Sequence, residues 1–134
     1  MKKILIDCER LKYPNTGLHT FCSELGRALI RQKKKELDYT FYVPQSFNNY
    51  FGTEVNYKIF NPLHKLYIPN TDKYNVWHKT HQGSPYQPYN AKTKIVYTVH
   101  DLNFLVEKKH SVNKIKSYLN KIQQNINRAD VITC

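Results

Sequence analysis

A histidine and an aspartate stand directly after a short apolar segment of the chain. The segment Lys94–Val99 is rich in β-branched residues, and His100 and Asp101 follow it. Such a run predicts a strand buried on both faces, as in a parallel sheet covered by helices. In open α/β sheets the ligand crevice lies at the carboxyl ends of the strands. There, His100 can donate to a phosphate or hydroxyl group or move a proton. Asp101 can orient His100 or bind substrate by accepting from a hydroxyl group.

The same two residues also fit a structural role. In that interpretation His100 bonds to backbone at the strand end, and Asp101 is a turn residue. The residue types alone do not separate the two interpretations, but the strand-end position favours function.

A second candidate is the segment Pro14–Leu18, between the first predicted strand and the first predicted helix. We take Asn15, Thr16, Gly17 and Leu18 as candidate substrate-binding residues. The first N–H groups of a helix lack intrahelical partners, so they bind anions and hydroxyl groups, and glycine allows close approach to the backbone. The segment matches neither the dinucleotide-binding fingerprint nor the Walker A loop. An ordinary tight turn is an equally good interpretation.

A third candidate is the polar loop that follows the predicted strand Tyr74–His78. We take His81, Gln82 and Gly83 in this loop as candidates for contacting a sugar near the crevice. The spacing of His78 and His81 is compatible with metal ligands, but no third ligand is indicated by any spacing rule. We therefore expect neither a metal site nor a cofactor.

Strands and helices alternate along the chain. Apolar and β-branched runs predict strands at Lys3–Asp7, Tyr39–Val43, Val55–Phe60, Tyr74–His78, Lys94–Val99 and Asp130–Cys134. Apolar residues at helical spacing predict two helices, which begin near Thr16 and Ser111. The segment Lys65–Ile68 predicts a short extra strand or a turn. This alternation is typical of a parallel sheet flanked by helices, so we expect an α/β, Rossmann-like fold.

The composition favours a folded protein with polyanionic partners. The chain has 134 residues, 40% of them hydrophobic, and 21 basic residues against 10 acidic ones give a net charge of +11. This length holds one domain with a core, and the charge points to phosphate groups, anionic membrane or nucleic acid. The three cysteines are widely spaced and form no CxxC pair. That pattern fits reduced thiols in the cytoplasm better than a disulfide framework or a zinc site.

The order of the motifs resembles the N-terminal domain of GT-B glycosyltransferases of family 4, a group of mannosyl- and glucosyltransferases. The motifs that carry this resemblance are Lys3–Asp7, Asn15–Leu18, Val76–His78, Val96–Leu102 and Asn127–Ile132. They extend over essentially the whole chain. The strand that ends in His-Asp-Leu and the closing Arg-Ala-Asp-Val-Ile are the strongest of them.

The resemblance implies one half of a GT-B fold, in which two Rossmann-like domains face a cleft. The N-terminal domain binds the acceptor, a glycan or a lipid-linked molecule. The C-terminal domain binds the nucleotide-sugar and carries a Glu-x7-Glu motif, and transfer retains the anomeric configuration without a metal. By match, Asn15–Leu18 approaches the donor diphosphate and the acceptor, and His100 is the catalytic residue near the transferred sugar.

The resemblance also sets expectations for the molecule as a whole. Residues 1–134 are expected to be a truncated single domain that is inactive in transfer without its donor-binding partner domain. The positive charge is expected to hold a cytoplasmic protein at the anionic inner face of a membrane. The alternative is a stand-alone nucleic-acid-binding or interaction module, which would also explain the charge and the eleven tyrosines. It is disfavoured because the tyrosines form no RNP motif.

Overall fold

The computed structural model describes residues 1–32 and 34–134. Within these residues six strands and two α-helices follow one another as β1 (Lys2–Asp7), α1 (Gly17–Arg31), β2 (Leu37–Val43), β3 (Asn56–Ile59), β4 (Val76–Lys79), β5 (Lys94–Thr98), α2 (Val112–Arg128) and β6 (Val131–Thr133). The predicted helix starts are confirmed. Thr16 and Ser111 are the N-caps, and their side-chain oxygens accept from the N–H groups of His19 and Lys114.

All six strands pair in parallel in a single sheet of spatial order β3-β2-β1-β4-β5-β6. This is the strand order of the Rossmann-like, doubly wound sheet, so the predicted α/β fold class is confirmed. The direction of winding reverses between β1 and β4. A crevice forms at the carboxyl ends of two strands at such a switch point, so the residues after Asp7 and Lys79 border it.

The two faces of the sheet are covered differently. On one face, α1 packs over a cluster of buried residues that includes Ile6, Phe41 and Val43. On the other face, Trp77 of β4 is surrounded by side chains that come mostly from loops, among them Ile68, Tyr74 and Tyr86. On this face, loops cover part of the sheet where a larger doubly wound domain has helices. The chain therefore has fewer helices than strands.

The segment Lys65–Ile68, predicted as a short extra strand or a turn, forms a turn at Leu66 after the 3-10 helix Pro62–Lys65. Two other local features differ from expectation. Strand β5 is buried on one face at Ile95 and Tyr97, but Val96 on the other face is only half-buried. The sequence predicts that β6 is buried. Instead, about half of Val131 is exposed, because β6 forms an edge of the sheet. Among the residues that the structure describes, no helix is long and apolar enough to cross a membrane.

Candidate functional site

The buried carboxylate of Asp7 ties the carboxyl ends of β1 and β4 together. One oxygen accepts from the Ser84 hydroxyl, and the other accepts from the Glu9 backbone N–H at 3.2 Å. The Thr80 hydroxyl donates to the backbone carbonyl of Asp7. Burial raises the pKa of Asp7 to about 6, because removal from water penalises the charged form more than these donors favour it.

Lys79, the last residue of β4, places a cation beneath the crevice. Its side chain is buried, and its Nζ donates to Oδ1 of Asn125 on α2 at 2.6 Å. The same Nζ lies 5.7 Å from the centroid of the Tyr97 ring. Burial lowers the pKa of Lys79 to about 8. A polar residue is tolerated at the buried position 125 of α2, because the side-chain oxygen of Asn125 accepts from this cation.

His81 is buried between two hydrogen-bond donors. Its Nε2 lies 3.1 Å from Nε of Arg10, and its Nδ1 lies 3.2 Å from the backbone N of Gly83. A neutral imidazole accepts at one nitrogen only, and a protonated one accepts at neither. The surroundings therefore oppose protonation, and burial followed by the charge of Arg10 lowers the pKa of His81 to about 3.

His100 is held with one ring nitrogen engaged by backbone. Its Nε2 lies 2.7 Å from the carbonyl oxygen of Thr80, and its ring meets Phe21 edge-on at 4.5 Å between centroids. A carbonyl oxygen only accepts, so Nε2 carries the proton of the neutral ring and Nδ1 is left as an acceptor. This is the backbone contact that a structural role of His100 predicts. It nevertheless leaves Nδ1 without a proton, so Nδ1 can accept a hydrogen bond from a ligand hydroxyl.

The side-chain amide of Gln82 bonds to the backbone of the turn that follows β5. Its Oε1 accepts from the backbone N–H of His100 at 3.2 Å, and its Nε2 donates to the carbonyl oxygen of Asp101 at 2.9 Å. The carboxylate of Asp101 accepts from the N–H of Asn103 at 3.0 Å. The side-chain amide of Gln82 thus positions His100, whereas Asp101 takes the part of a turn residue.

The start of α1 faces open space at Gly17. Thr16 accepts from the N–H of His19 at 3.2 Å and donates to the carbonyl of Tyr13 at 2.8 Å. Asn15 has a φ of 62°, a left-handed conformation that asparagine tolerates. A Cβ built on Gly17 would meet no atom within 4 Å. A ligand therefore has room to approach the backbone at the N-terminus of this helix.

A cavity of about 260 Å³ opens at this edge of the sheet. Its lining is mostly apolar and is made by Leu18, Phe104, Tyr118 and Ile122 together with Arg10, His81, Gln82, Gly83 and Lys121. Four of the residues proposed from sequence line the cavity, namely Leu18, His81, Gln82 and Gly83. The other five, Asn15, Thr16, Gly17, His100 and Asp101, lie outside this lining.

A second cavity of about 260 Å³ adjoins the first and shares Arg10, Gly83 and Lys121 with it. Four cationic side chains line the second cavity, those of Arg10, Lys12, Lys65 and Lys121. The Glu9 carboxylate in the same lining is buried and paired with Lys12 and, at 3.6 Å, with Arg10. The crevice thus joins an apolar compartment to a cationic one, an arrangement that suits an amphiphilic anion.

The cationic residues of this crevice were not proposed from the sequence. The location of Arg10 and Lys12 could have been predicted from the sequence, because they follow the first strand and so lie at the carboxyl edge of the sheet. That of Lys65 and Lys121 could not, since they come from a 3-10 helix and from α2, far away in the chain.

The histidine pair at positions 78 and 81 is engaged in other contacts. Nε2 of His78 lies 2.8 Å from the Thr98 hydroxyl, whereas His81 contacts Arg10 and Gly83. Burial lowers the pKa of His78 to about 4. Within residues 1–32 and 34–134, no three histidine, cysteine or carboxylate side chains are grouped to hold a metal ion.

No family model, no curated protein and no solved structure matches this chain.

Proposed function

We propose that this chain is the acceptor-side domain of a retaining GT-B glycosyltransferase, which transfers a sugar from a nucleotide-sugar to a glycan or lipid-linked acceptor. The observation that carries the proposal is the pair of neighbouring cavities at the switch point of the sheet. An apolar compartment beside four cationic side chains matches a lipid-linked sugar phosphate, in which hydrocarbon adjoins phosphate. The resemblance of the motif order to family 4 supports the same conclusion.

In this proposal the cationic compartment holds the phosphate of the acceptor. Arg10 offers a planar fork of donors that fits a phosphate group, and Lys12, Lys65 and Lys121 add point charges around it. The apolar compartment takes the first hydrocarbon units of the lipid against Leu18, Phe104, Tyr118 and Ile122.

His100 is the catalytic residue of the proposal. Its Nε2 proton is engaged by the carbonyl of Thr80, so its Nδ1 accepts a hydrogen bond from a hydroxyl of the transferred sugar. The free N–H groups at the start of α1, beside Gly17, approach the donor diphosphate. Such an enzyme acts in the cytoplasm, peripherally at the inner face of the membrane, and takes up the lipid-linked acceptor there.

The acceptor chemistry is tested by titration with a soluble short-chain prenyl phosphate that carries a sugar. The chain is titrated in parallel with the sugar phosphate and with the prenyl alcohol, and binding is followed by NMR. We expect saturable binding of the complete amphiphile and at least about tenfold weaker binding of either half alone.

Two variants localise the binding. Arg10→Gln with Lys121→Gln is expected to weaken it at least about tenfold. Lys2→Gln with Lys3→Gln removes the same number of charges at the amino end of β1, on the opposite edge of the sheet, and serves as the charge-matched control. Absence of saturable binding would contradict the proposal. Tight binding of a single-stranded oligonucleotide at physiological salt would favour the nucleic-acid alternative instead.

The donor half of the proposed enzyme is tested separately. A retaining transferase of this type needs a second Rossmann-like domain with a Glu-x7-Glu motif. The reading frame downstream of residue 134 is therefore expected to encode such a domain. A downstream frame that encodes an RNA-binding domain would contradict the proposal.

A further inference from the structure

Four large apolar side chains are exposed together next to the cationic cavity. Leu63 is 68% exposed, Leu66 80%, Tyr67 62% and Tyr89 51%. We call these four residues the Leu63 surface. Isolated exposed apolar residues are common on proteins, but a group of four in one small region marks an interaction site.

The Leu63 surface has a defined conformation. The amide N–H groups of Leu66 and Tyr67 both donate to the carbonyl of Leu63, at 2.9 and 3.2 Å. The rings of Tyr67 and Tyr89 stack with centroids 5.4 Å apart and planes 26° apart. The Tyr89 hydroxyl donates to the carbonyl of Leu66. These bonds join the loop before β4 to the loop after it, so the exposed side chains form one patch.

Positive charge adjoins this patch. Lys65, in the same turn, is exposed and lines the cationic cavity together with Arg10, Lys12 and Lys121. Glu9 in that lining is already paired with Lys12 and Arg10. The whole chain carries a net charge of +11. An anionic surface is therefore complementary both to the immediate surroundings of the patch and to the molecule as a whole.

The chemistry of the Leu63 surface fits a lipid bilayer better than a protein partner. Leucine side chains beside lysines, with tyrosines between them, make up the composition of segments that lie in a membrane interface. Tyrosine suits the headgroup level, because its ring is apolar and its hydroxyl is polar. A stable protein interface needs roughly 20–30 residues on each side, and the four apolar residues here are far fewer.

We propose that the Leu63 surface docks this protein onto an anionic phospholipid bilayer. Leu63 and Leu66 enter the boundary between headgroups and acyl chains, Tyr67 and Tyr89 lie at headgroup level, and Lys65 contacts lipid phosphate. This inference rests on the proposed function, which has the enzyme act at a membrane, and it names the surface of the chain that makes the contact. It would also bring the mouth of the cationic cavity to the lipid surface.

The first test is partition of the purified chain onto vesicles of phosphatidylglycerol and onto vesicles of phosphatidylcholine, measured by flotation. We expect strong binding to the anionic vesicles and at least about tenfold weaker binding to the neutral ones. In the double variant Leu63→Ser with Leu66→Ser, partition onto phosphatidylglycerol is expected to fall at least about tenfold. Both side chains are exposed, so the variant keeps its fold, which circular dichroism verifies.

Two matched controls separate docking through this patch from diffuse attraction. Val131→Ser removes a half-exposed apolar side chain from β6, at the sheet edge opposite β3. Lys2→Gln removes one charge at the amino end of β1. Both are expected to partition as the wild type does. Unchanged partition of the Leu63→Ser, Leu66→Ser variant would overturn the proposal, as would equal binding of the wild type to both vesicle types.

A spectroscopic test reports insertion directly. The native Trp77 is fully buried, so its emission is a constant background. The Tyr67→Trp variant is expected to show a blue shift on addition of phosphatidylglycerol vesicles and none on addition of inorganic phosphate. Unshifted emission with vesicles would overturn the proposal. Because the short-chain titration of the proposed function contains no vesicles, the two proposals can fail independently.

Discussion

At the carboxyl edge of the sheet, neighbouring groups determine which nitrogen or oxygen of each side chain carries a proton. The carbonyl of Thr80 directs the His100 proton to Nε2 and leaves Nδ1 as an acceptor. Arg10 and the Gly83 N–H keep His81 neutral, whereas burial favours the protonated form of Asp7. Each of these arrangements leads to a measurable consequence.

The role proposed for His100 can be separated from its structural contact. In His100→Gln, the side-chain amide N–H can still donate to the carbonyl of Thr80, but the acceptor at Nδ1 is lost. We expect sugar transfer by the complete enzyme to fall at least about 100-fold. The fall should be in kcat more than in KM, and the melting temperature should stay close to that of the wild type. Wild-type turnover in this variant would show that Nδ1 has no part in transfer.

Titration of Asp7 and titration of His81 both make the stability of the fold depend on pH, but with opposite signs. Between pH 3.8 and about 6, folded Asp7 binds a proton that the unfolded chain has lost, so its contribution to stability is lost as pH rises. His81 has a lowered pKa, so its contribution is complete above 6.5 and is lost as pH falls toward about 3.

Replacement of Asp7 by Asn removes the first of these contributions. Between roughly pH 4 and pH 7.5, the free energy of unfolding of Asp7→Asn should rise by about 2 kcal/mol relative to that of the wild type. Urea unfolding of both proteins at the two pH values measures this difference. His81→Gln serves as the comparison, because it should instead reduce the loss of stability in acid. Parallel pH profiles for Asp7→Asn and the wild type would rule out a raised pKa of Asp7.

Among the elements, the two helices show how much a local pattern leaves undecided. Both begin at the N-caps that the sequence predicts. Helix α1 buries Cys22, Ser23 and Gly26 against the sheet, whereas α2 buries only Ile122 and Asn125 among its described residues. In the apolar stripe of α2, Tyr118 and Leu119 are more than one third exposed. Part of that stripe lines the apolar cavity.

The two glycines of α1 are predicted to respond differently to alanine. A Cβ on Gly26 would lie 2.3 Å from the Phe51 ring, which itself packs against the Phe41 ring with 4.3 Å between centroids. Gly26→Ala should therefore destabilise the fold by about 1–3 kcal/mol. Gly17→Ala has open space around it, so it should stabilise α1 by roughly 0.5–1 kcal/mol.

Urea unfolding of the two variants measures both effects. If a ligand approaches the backbone at Gly17, Gly17→Ala will also weaken binding of a nucleotide-sugar to the complete enzyme although the fold is more stable. Unchanged affinity would remove Gly17 from the candidate site. A Gly26→Ala variant as stable as the wild type would show that the Phe51 ring can move aside.

Across the whole molecule, packing is uneven from one side of the sheet to the other. The centre, β1, β2 and β4, lies between α1 on one face and the Trp77 cluster on the other. At the β6 edge, Val131 and Ile132 are about half exposed. Many of the eleven tyrosines help to fill the centre, and Tyr39, Tyr42, Tyr74, Tyr86 and Tyr97 are buried. These five are not available for base stacking.

This unevenness predicts a gradient of hydrogen exchange. Amides of β1, β2 and β4 should exchange only through global unfolding, whereas those of α2 and β6 should open locally and exchange at least about tenfold faster. Exchange monitored by NMR on the isolated chain tests the prediction. Equal protection in α2 and β1 would show that the structure unfolds as one cooperative unit.

Part of the site could be predicted because its signals are local. The apolar run at Lys94–Val99 identifies a strand, and the parallel arrangement places whatever follows it, His100 included, at the carboxyl edge. The same reasoning brought His81 and Leu18 to the crevice. The Rossmann-like fold class followed from the alternation of strand and helix patterns, which is also a local property of the chain.

What the sequence by itself determined is therefore the set of strands and helices, the fold class and the edge of the sheet at which the candidate site residues lie. Only the tertiary structure decided which side chains meet there. Lys65, Lys121 and Asn125 lie on a turn and a helix whose local patterns point to solvent or core. Lys65 and Lys121 line one cavity with Arg10, and Asn125 accepts from Lys79, although each pair lies more than 40 residues apart in the chain. Helical or strand periodicity describes only neighbours along the chain, so it cannot specify which distant charges share a cavity.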